Sequence, residues 1–221
     1  MISQWLQRTN NERLILLFLG WGTDANCVSE VRFPADTDVV ALWDYSNTHL
    51  SQDIDLEAYR QVSVVAWSMG VFAATEVIHA IGRDFFCSIT AINGTMRPVD
   101  SREGIAPEVV RLTRDNWSET TRTKFNLRMF GGRAVLAAHT HLLPQRDIED
   151  QREELSAIML RSRNSLNYSK IIWDKVIIGT RDLIFLPDCQ RNFWRNNRAK
   201  QIVETDMPHF PFLLLNDTDN L

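Results

Sequence analysis

The sequence has 221 residues, of which 44% are hydrophobic and 24% are charged, and its formal net charge at pH 7 is −4. This composition is typical of one compact globular domain and excludes an extensively disordered chain. The acidic balance, together with the lack of a nucleic-acid reader motif, argues against DNA or RNA as a partner.

Short apolar segments alternate with helical patterns in both the first and the last part of the chain. Buried strands are predicted, in chain order, over 14–19, 38–43, 62–67, 86–92, 175–179 and 200–204, with a helix over about 69–81. Strands that alternate with helices predict an α/β fold with a mostly parallel sheet and helices on both faces.

The strand pattern disappears over 97–165, where helical patterns replace it. Helices are predicted there over 107–115, 117–130 and 146–161, the second ending at a glycine pair. We interpret 97–165 as a helical lid inserted between core strands. The core would then consist of 1–96 and 166–221, in one compact domain overall.

Residues 63–74 combine an apolar run with a serine and the start of a helical pattern. They read Ser-Val-Val-Ala-Trp-Ser-Met-Gly-Val-Phe-Ala-Ala, in which the second serine is Ser68. A strand that turns sharply into a helix at a serine is the nucleophile elbow of the α/β-hydrolase fold, whose usual pattern is G-x-S-x-G. Here Ala66 replaces the first glycine. An ordinary strand-turn-helix with a solvent-facing serine is the alternative interpretation.

A glycine-flanked turn precedes the elbow in the chain. The apolar run 14–19 is followed by Gly20-Trp21-Gly22-Thr23, where α/β hydrolases place a second donor for the oxyanion. We therefore predict that the backbone N–H groups of Trp21 and Met69 form an oxyanion hole. Without the elbow, the two glycines would indicate a plain turn.

Two later segments supply a candidate acid and a candidate base. One apolar strand runs into Asp182, and the next is followed by a loop that contains His209. The chain order Ser68, Asp182, His209 is the order that α/β hydrolases use. A serine hydroxyl is a weak nucleophile near neutral pH, so an imidazole must accept its proton and a carboxylate must orient the imidazole. These three residues are therefore predicted to form a catalytic triad.

Other histidines and aspartates compete for these roles. The alternatives for the base are His49, His79, His139 and His141, and those for the acid are Asp188 and Asp206. None of the four histidines has the position of His209 after the last predicted strand. Asp188 follows Pro187 and is typical of a helix start, whereas Asp206 is too close to His209 along one loop to be the first choice.

The predicted lid carries a basic segment that the net charge of the whole chain conceals. Residues 111–146 contain seven arginines and lysines but only two acidic residues. Arg122, Lys124 and Arg128 alternate with apolar side chains, so one helix face would be basic. Such a face fits either plain solvation or a docking surface for an acidic partner or a phosphate-bearing carrier.

The cysteines and the apolar runs indicate the cellular compartment of the protein. The three cysteines, Cys27, Cys87 and Cys189, are far apart and lack C-x-x-C spacing, which argues against a disulfide framework and against a zinc site. No apolar run approaches the length of a membrane span or of a signal-peptide core. We expect a cytoplasmic protein with no membrane partner and no bound metal.

Several of these segments, taken together and in order, resemble one family over nearly the whole chain. They are Phe18-Leu19-Gly20-Trp21-Gly22-Thr23, Trp43-Asp44-Tyr45, Val65-Ala66-Trp67-Ser68-Met69-Gly70-Val71, Ala91-Ile92-Asn93-Gly94-Thr95, Thr121-Arg122-Thr123-Lys124-Phe125, Thr180-Arg181-Asp182 and Pro208-His209-Phe210. The chain thus resembles the BioG type of pimeloyl-[acyl-carrier protein] methyl ester esterase, a family that tolerates alanine at the position of Ala66.

The resemblance implies an α/β hydrolase that removes the methyl group from the pimeloyl methyl ester on an acyl carrier protein, in biotin biosynthesis. It implies no cofactor. The charge pattern of the predicted lid makes Arg122, Lys124 and Arg128 the candidates for binding an acidic carrier. Two alternatives stay open: an acyl-carrier or coenzyme-A thioesterase or general short-chain carboxylesterase, and a non-catalytic carrier-binding module.

Overall fold

A computed structural model describes residues 1–163, 168–195 and 198–215. Within these residues, seven strands form one sheet in the order β1-β3-β2-β4-β5-β6-β7. The strands are β1 Ile2–Gln7, β2 Arg13–Phe18, β3 Thr37–Trp43, β4 Gln61–Trp67, β5 Ser88–Ile92, β6 Trp173–Gly179 and β7 Ala199–Thr205. All neighbouring strands pair in parallel except β1, which pairs antiparallel with β3.

The helices flank the sheet and fill one long connection. They are α1 Gly70–Ile81, α2 Pro107–Asp115, α3 Glu119–Met129, α4 Arg133–Ala138, α5 Ile148–Arg163 and α6 Pro187–Trp194. Helices α2 to α5 lie between β5 and β6, where the sequence predicted the helical lid. The lid boundaries at 97 and 165 stay a prediction, and residue 165 lies outside the described residues.

The prediction of a mostly parallel α/β sheet is confirmed, and the six predicted strands correspond to β2 to β7. Sequence reasoning missed β1. This strand lies at the edge of the sheet and has mostly exposed or half-buried residues, so it lacks the apolar run that marks a central strand. It also missed α4, a helix of six residues with one buried side chain, Leu136.

Alternate residues of the central strands separate into two apolar layers, because successive side chains of a strand point to opposite faces. Leu14, Leu16 and Phe18 of β2 belong to the layer that packs against α1, α5 and α6. Leu17 of the same strand belongs to the other layer, which is closed by α4, the end of α3 and the C-terminal segment around Phe210. Both faces of the sheet are thus covered.

The parallel strands bring distant parts of the chain together at the edge of the sheet that is formed by the carboxyl ends of the strands. The turns that follow β2, β4, β5, β6 and β7 all begin where these strands end, at their carboxyl ends. In parallel α/β sheets this edge is where functional residues converge. None of the described helices has the length and apolar character needed to cross a bilayer.

One buried amide, that of Asn93, connects three of these turns. Asn93 follows β5 with φ of +48° and is fully buried. Its Nδ2 donates to the carbonyl oxygens of Pro208 and His209, at 3.0 and 2.9 Å, and its Oδ1 accepts from Gly179 N–H at 2.6 Å. A single side chain therefore links the turns after β5, β6 and β7.

We expect Asn93→Asp to lower the free energy of unfolding by about 2–4 kcal/mol at neutral pH, because a carboxylate oxygen would face two buried carbonyl oxygens. Denaturant unfolding followed by far-UV circular dichroism measures this change. Asn26→Asp is the matched control, since Asn26 Nδ2 also donates to two carbonyl oxygens but in a partly solvated site. Equal losses in the two variants would contradict the role assigned to Asn93.

Candidate active site

Ser68 occupies a strained turn between β4 and α1. Its φ is +60°, in the left-handed region that costs a residue other than glycine about 1–3 kcal/mol. Its N–H donates to Ile92 O at 2.9 Å, and its carbonyl oxygen accepts from Val71 N–H at 3.1 Å. The side chain is almost buried, with 5% of its residue surface exposed, at the N-terminus of α1.

Two glycines permit the close packing of this turn. A Cβ atom on Gly70 would lie 2.4 Å from Leu19 O, and one on Gly94 would lie 2.2 Å from Ser68 O. Neither position can therefore carry a side chain without a shift of the backbone. Ala66, which departs from the usual motif, is fully buried in β4 and pairs with Phe18 and Ala91. The methyl group fits there.

The structure brings Ser68, His209 and Asp182 together in one buried chain of hydrogen bonds. His209 Nε2 lies 2.9 Å from Ser68 Oγ, and His209 Nδ1 lies 2.8 Å from Asp182 Oδ2. A carboxylate can only accept, so the proton of the neutral imidazole belongs on Nδ1. Nε2 then offers its lone pair to the serine hydroxyl, which is the arrangement needed to activate it.

The carboxylate of Asp182 is held by donors on both oxygens. Oδ1 accepts from the N–H groups of Ile184 and Phe185 at 2.8 and 2.9 Å. Oδ2 accepts from Gln190 Nε2 at 3.2 Å besides His209. Gln190 is fully buried, and sequence reasoning missed it, because a glutamine in a helix carries no local signal of such a contact.

The competing acids lie elsewhere. Asp206 is exposed and pairs with Arg181 at 2.6 Å, while Asp188 is exposed and pairs with Arg191 at 2.8 Å. Each is therefore neutralised by an arginine at the surface.

The competing histidines also make other contacts or face solvent. His141 pairs with Glu30 at 2.8 Å, and His139 Nδ1 lies 2.9 Å from Val135 O within its own helical turn. His79 is exposed at the end of α1, and His49 is exposed in the connection after β3.

The loop that carries His209 is fixed by three residues outside the triad. Trp67 Nε1 donates to His209 O at 2.9 Å, in addition to the bonds from the Asn93 amide. Phe210 N–H donates to Met129 O at 2.9 Å, which ties the loop to the end of α3. Asn93 could have been suspected from the Asn-Gly pair directly after a strand, a typical turn signal.

The two predicted oxyanion donors lie beside Ser68. Trp21 and Met69 line the same pocket as the serine. Within the described residues, the backbone N–H of neither one has a hydrogen-bond acceptor. Unpaired N–H groups beside a nucleophile are free to donate to an oxygen that becomes negative during a reaction.

A partly open pocket lies at Ser68 and His209. Its walls are mainly apolar and come from the core, from α2, α3 and α5, and from the turn after Asp182. Val109 and Leu183 line it although each is about half exposed, so the mouth is apolar too. An apolar cleft with a few polar groups is typical of a site for a small, largely apolar ligand.

The three predicted basic residues differ in their surroundings. Arg122 is held in place, with Nη2 at 2.6 Å from Glu119 Oε2 and Nη1 donating to Arg146 O at 2.7 Å. Lys124 and Arg128 are exposed, and Arg128 also lines the pocket. No group of three or more histidines, cysteines or acidic residues in the described part of the chain could hold a metal ion.

Comparisons with known proteins identify the family and the fold of this chain. The family model for "Pimeloyl-ACP methyl esterase BioG" matches residues 1–219. The crystal structure of BioG from Haemophilus influenzae aligns with a TM-score of 0.90 and 32% identity, covering 100% of this chain and 99% of that one. A "Malonyl-[acyl-carrier protein] O-methyltransferase" of Bacteroides fragilis is 36% identical over 203 residues, which are 92% of this chain but only 40% of that protein.

More distant structures share the fold alone. A lipase-esterase related protein from Clostridium acetobutylicum aligns with a TM-score of 0.72 at 12% identity, over 97% of this chain and 94% of that one. The α/β-hydrolase fold predicted from the sequence is confirmed by the order of the strands, by the left-handed backbone of Ser68 and by these structural similarities. By the match of the family model over nearly its whole length, the chain belongs to the BioG family of pimeloyl-ACP methyl esterases.

Proposed function

We propose that this chain hydrolyses the methyl ester of pimeloyl-[acyl-carrier protein] to pimeloyl-[acyl-carrier protein] and methanol, as a step of biotin biosynthesis. The observation that carries the proposal is the hydrogen-bonded chain from Ser68 through His209 to Asp182 at an apolar pocket. Family membership supports the choice of substrate. The chemistry uses side chains and backbone amides and requires no cofactor.

In the first step, Ser68 Oγ attacks the ester carbonyl carbon while His209 Nε2 accepts the hydroxyl proton. Asp182 stabilises the imidazolium through Nδ1–H. The electron pair of the carbonyl bond moves to oxygen, and the N–H groups of Trp21 and Met69 donate to that oxyanion. Each such donor contributes about 3 kcal/mol to stabilising the transition state.

The tetrahedral intermediate then breaks its bond to the methoxy oxygen. That oxygen takes the proton from His209 and leaves as methanol, and the acyl group stays on Ser68. Water, deprotonated by His209, attacks the acyl-enzyme, and Ser68 leaves with the proton from the imidazolium. The carboxylic acid is released, and the hydrogen-bonded chain returns to its starting state.

Placement decides which of two carbonyl groups reacts, since the substrate holds both a methyl ester and the thioester to the carrier. The walls of the pocket are mainly apolar, which suits an aliphatic chain, and the pocket is far too small for a folded carrier protein. The free methyl end can therefore reach Ser68 while the carrier stays outside. Near-attack placement contributes roughly 7–11 kcal/mol, enough to spare the more reactive but distant thioester.

We assign carrier binding to the basic surface of α3, chiefly Lys124 and Arg128. Both are exposed, and Arg128 lies at the pocket that the acyl chain would enter. Arg122 would contribute mainly by supporting the helix, because its guanidinium is already bonded to Glu119 and to the Arg146 carbonyl. An acidic carrier complements such a surface.

The function is tested by the intact mass of the carrier after incubation with the enzyme. We expect the wild-type chain to lower the mass of the ester-loaded carrier by that of one CH2 group, because the ester methyl is replaced by hydrogen and leaves in methanol, and Ser68→Ala to lose nearly all turnover while staying folded. A serine-directed phosphonate should label the wild type once, at Ser68.

Appearance of free carrier thiol would favour a thioesterase. Retained carrier binding with no change in mass would favour a non-catalytic module. Phosphonate labelling at another residue, or an active Ser68→Ala variant, would refute the assignment of the nucleophile.

Asp182→Asn should lower kcat by about 10⁴-fold, because an amide would favour the wrong imidazole tautomer. Steady-state kinetics on a small methyl ester such as methyl hexanoate measures this loss. Asp206→Asn serves as the control, since its exposed ion pair with Arg181 lies outside the site, and we expect kcat within about twofold of wild type. A larger loss at Asp206 would transfer the role of the acid to that residue.

Charge reversal at Lys124 and Arg128 should raise KM for the carrier-bound ester by about five- to tenfold per residue, and less at high salt, which screens exposed charges. Hydrolysis of free methyl hexanoate should stay unchanged. Lys170→Glu is the control. Lys170 is exposed just before β6, at the amino ends of the strands, whereas Ser68 lies at their carboxyl ends. Equal losses on both substrates would instead indicate that these residues support the fold.

A further inference from the structure

The turn that carries the Trp21 amide is fixed at its first peptide group. Gly20 O accepts from Thr23 Oγ1 at 2.6 Å and from Thr23 N–H at 3.3 Å. In a trans peptide the N–H points opposite to the C=O. The Trp21 N–H, which belongs to the same peptide group as Gly20 O, is therefore directed away from Thr23.

Two side chains of α5 fix the next peptide groups of this turn. Glu154 Oε2 accepts from Gly22 N–H at 3.1 Å, and Gln151 Nε2 donates to Gly22 O at 2.6 Å. The carbonyl oxygen of Gln151 accepts from the Trp21 indole at 2.7 Å. Both side chains are excluded from solvent, with 0% and 1% of the residue exposed, so water cannot replace these bonds.

The amide of Gln151 has only one orientation that satisfies its neighbours. Trp117 Nε1 lies 2.9 Å from Gln151 Oε1. An indole N–H can only donate, so the amide oxygen must face Trp117. The amide nitrogen must then face Gly22 O, which can only accept.

Glu154 is surrounded by donors. Oε1 accepts from Tyr45 N–H at 3.0 Å, and Oε2 accepts from Arg146 Nη1 at 2.5 Å besides Gly22 N–H. Burial raises the pKa of Glu154, and the Arg146 guanidinium opposes that rise. All three neighbours are donors, so the proton of a neutral carboxyl would find no acceptor among them.

Helix α5 is a rigid support for these two side chains. Gln151 and Glu154 are three residues apart and therefore share one face of the helix. Leu155 and Ile158, on the following turn, are buried in the core against the sheet. A displacement of α5 would disturb that packing, so the two polar side chains hold the turn in a fixed place relative to β2.

We propose that Gln151 and Glu154 are positioning residues for the oxyanion hole: by holding both sides of Gly22, they keep the Trp21 N–H aimed at the oxygen that becomes negative when Ser68 attacks. Neither side chain touches the substrate. The inference rests on the proposed function, because it requires Ser68 to form a tetrahedral oxyanion.

The test compares Gln151→Glu with wild type on methyl hexanoate and on a trifluoromethyl ketone that forms a tetrahedral adduct with Ser68. A carboxylate at this position would face Gly22 O and displace the turn. We expect kcat to fall by about 10- to 100-fold, below the 10²–10³-fold loss of a deleted donor. KM should stay within about threefold, and the ketone inhibition constant should rise by the same factor as kcat falls.

Two further variants keep the test decisive. Gln151→Met removes the hydrogen bonds without adding charge, and it replaces Gln151→Glu if that variant fails to fold. Ile158→Val is the control for a destabilised α5, because Ile158 is buried about two turns beyond Gln151 and has no polar atom to bond the turn. Its kcat and ketone inhibition constant should match wild type.

The outcomes separate this inference from the proposed function. The positioning role is refuted if a folded Gln151 variant matches Ile158→Val in kcat and in ketone inhibition. It is also refuted if the variant loses activity only through a higher KM. In either case the assignment of Ser68 as the nucleophile stands. If the wild-type chain neither cleaves the ester nor forms the ketone adduct, the proposed function and the inference both fail.

Discussion

The left-handed backbone at Ser68 is the constraint around which the rest of the site is built. A serine at φ of +60° is retained only if its surroundings leave no other conformation. Here the surroundings are the backbone of the neighbouring strands, which approaches so closely that Gly70 and Gly94 could not carry a Cβ atom. The strain is therefore held by the packing of the sheet edge. The same close approach places the turns after β2 and β5 within reach of the serine.

The sequence was informative wherever function requires a local pattern. The apolar run before Ser68 and the small residues around it predicted the elbow, and the order of Asp182 and His209 predicted which turns would meet it. The α/β-hydrolase fold is confirmed, whereas the catalytic roles of these residues stay predictions. What the sequence could not indicate are contacts between distant segments, such as that of Gln151 with Gly22. A buried glutamine and an exposed one have the same local sequence context, and an edge strand such as β1 has no buried face to produce an apolar run.

The interior around the site depends on polar side chains that bond backbone groups. Asn93, Gln151 and Glu154 each bond backbone atoms of turns at the same sheet edge. Such bonds are strong in a medium of low dielectric constant, and the penalty for breaking one is correspondingly large. Turns of this kind cannot be fixed by hydrophobic contact, which has no direction. Directional bonds instead determine where each backbone N–H and C=O points.

The ion pair between Arg146 and Glu154 limits how this architecture can change during evolution. Both residues belong to the connection between β5 and β6, yet the same carboxylate bonds backbone amides after β2 and β3. Recombination that exchanged this connection with that of a distant hydrolase would have to supply a matching acceptor or leave two buried amides unpaired. The insertion and the core are therefore expected to be inherited together.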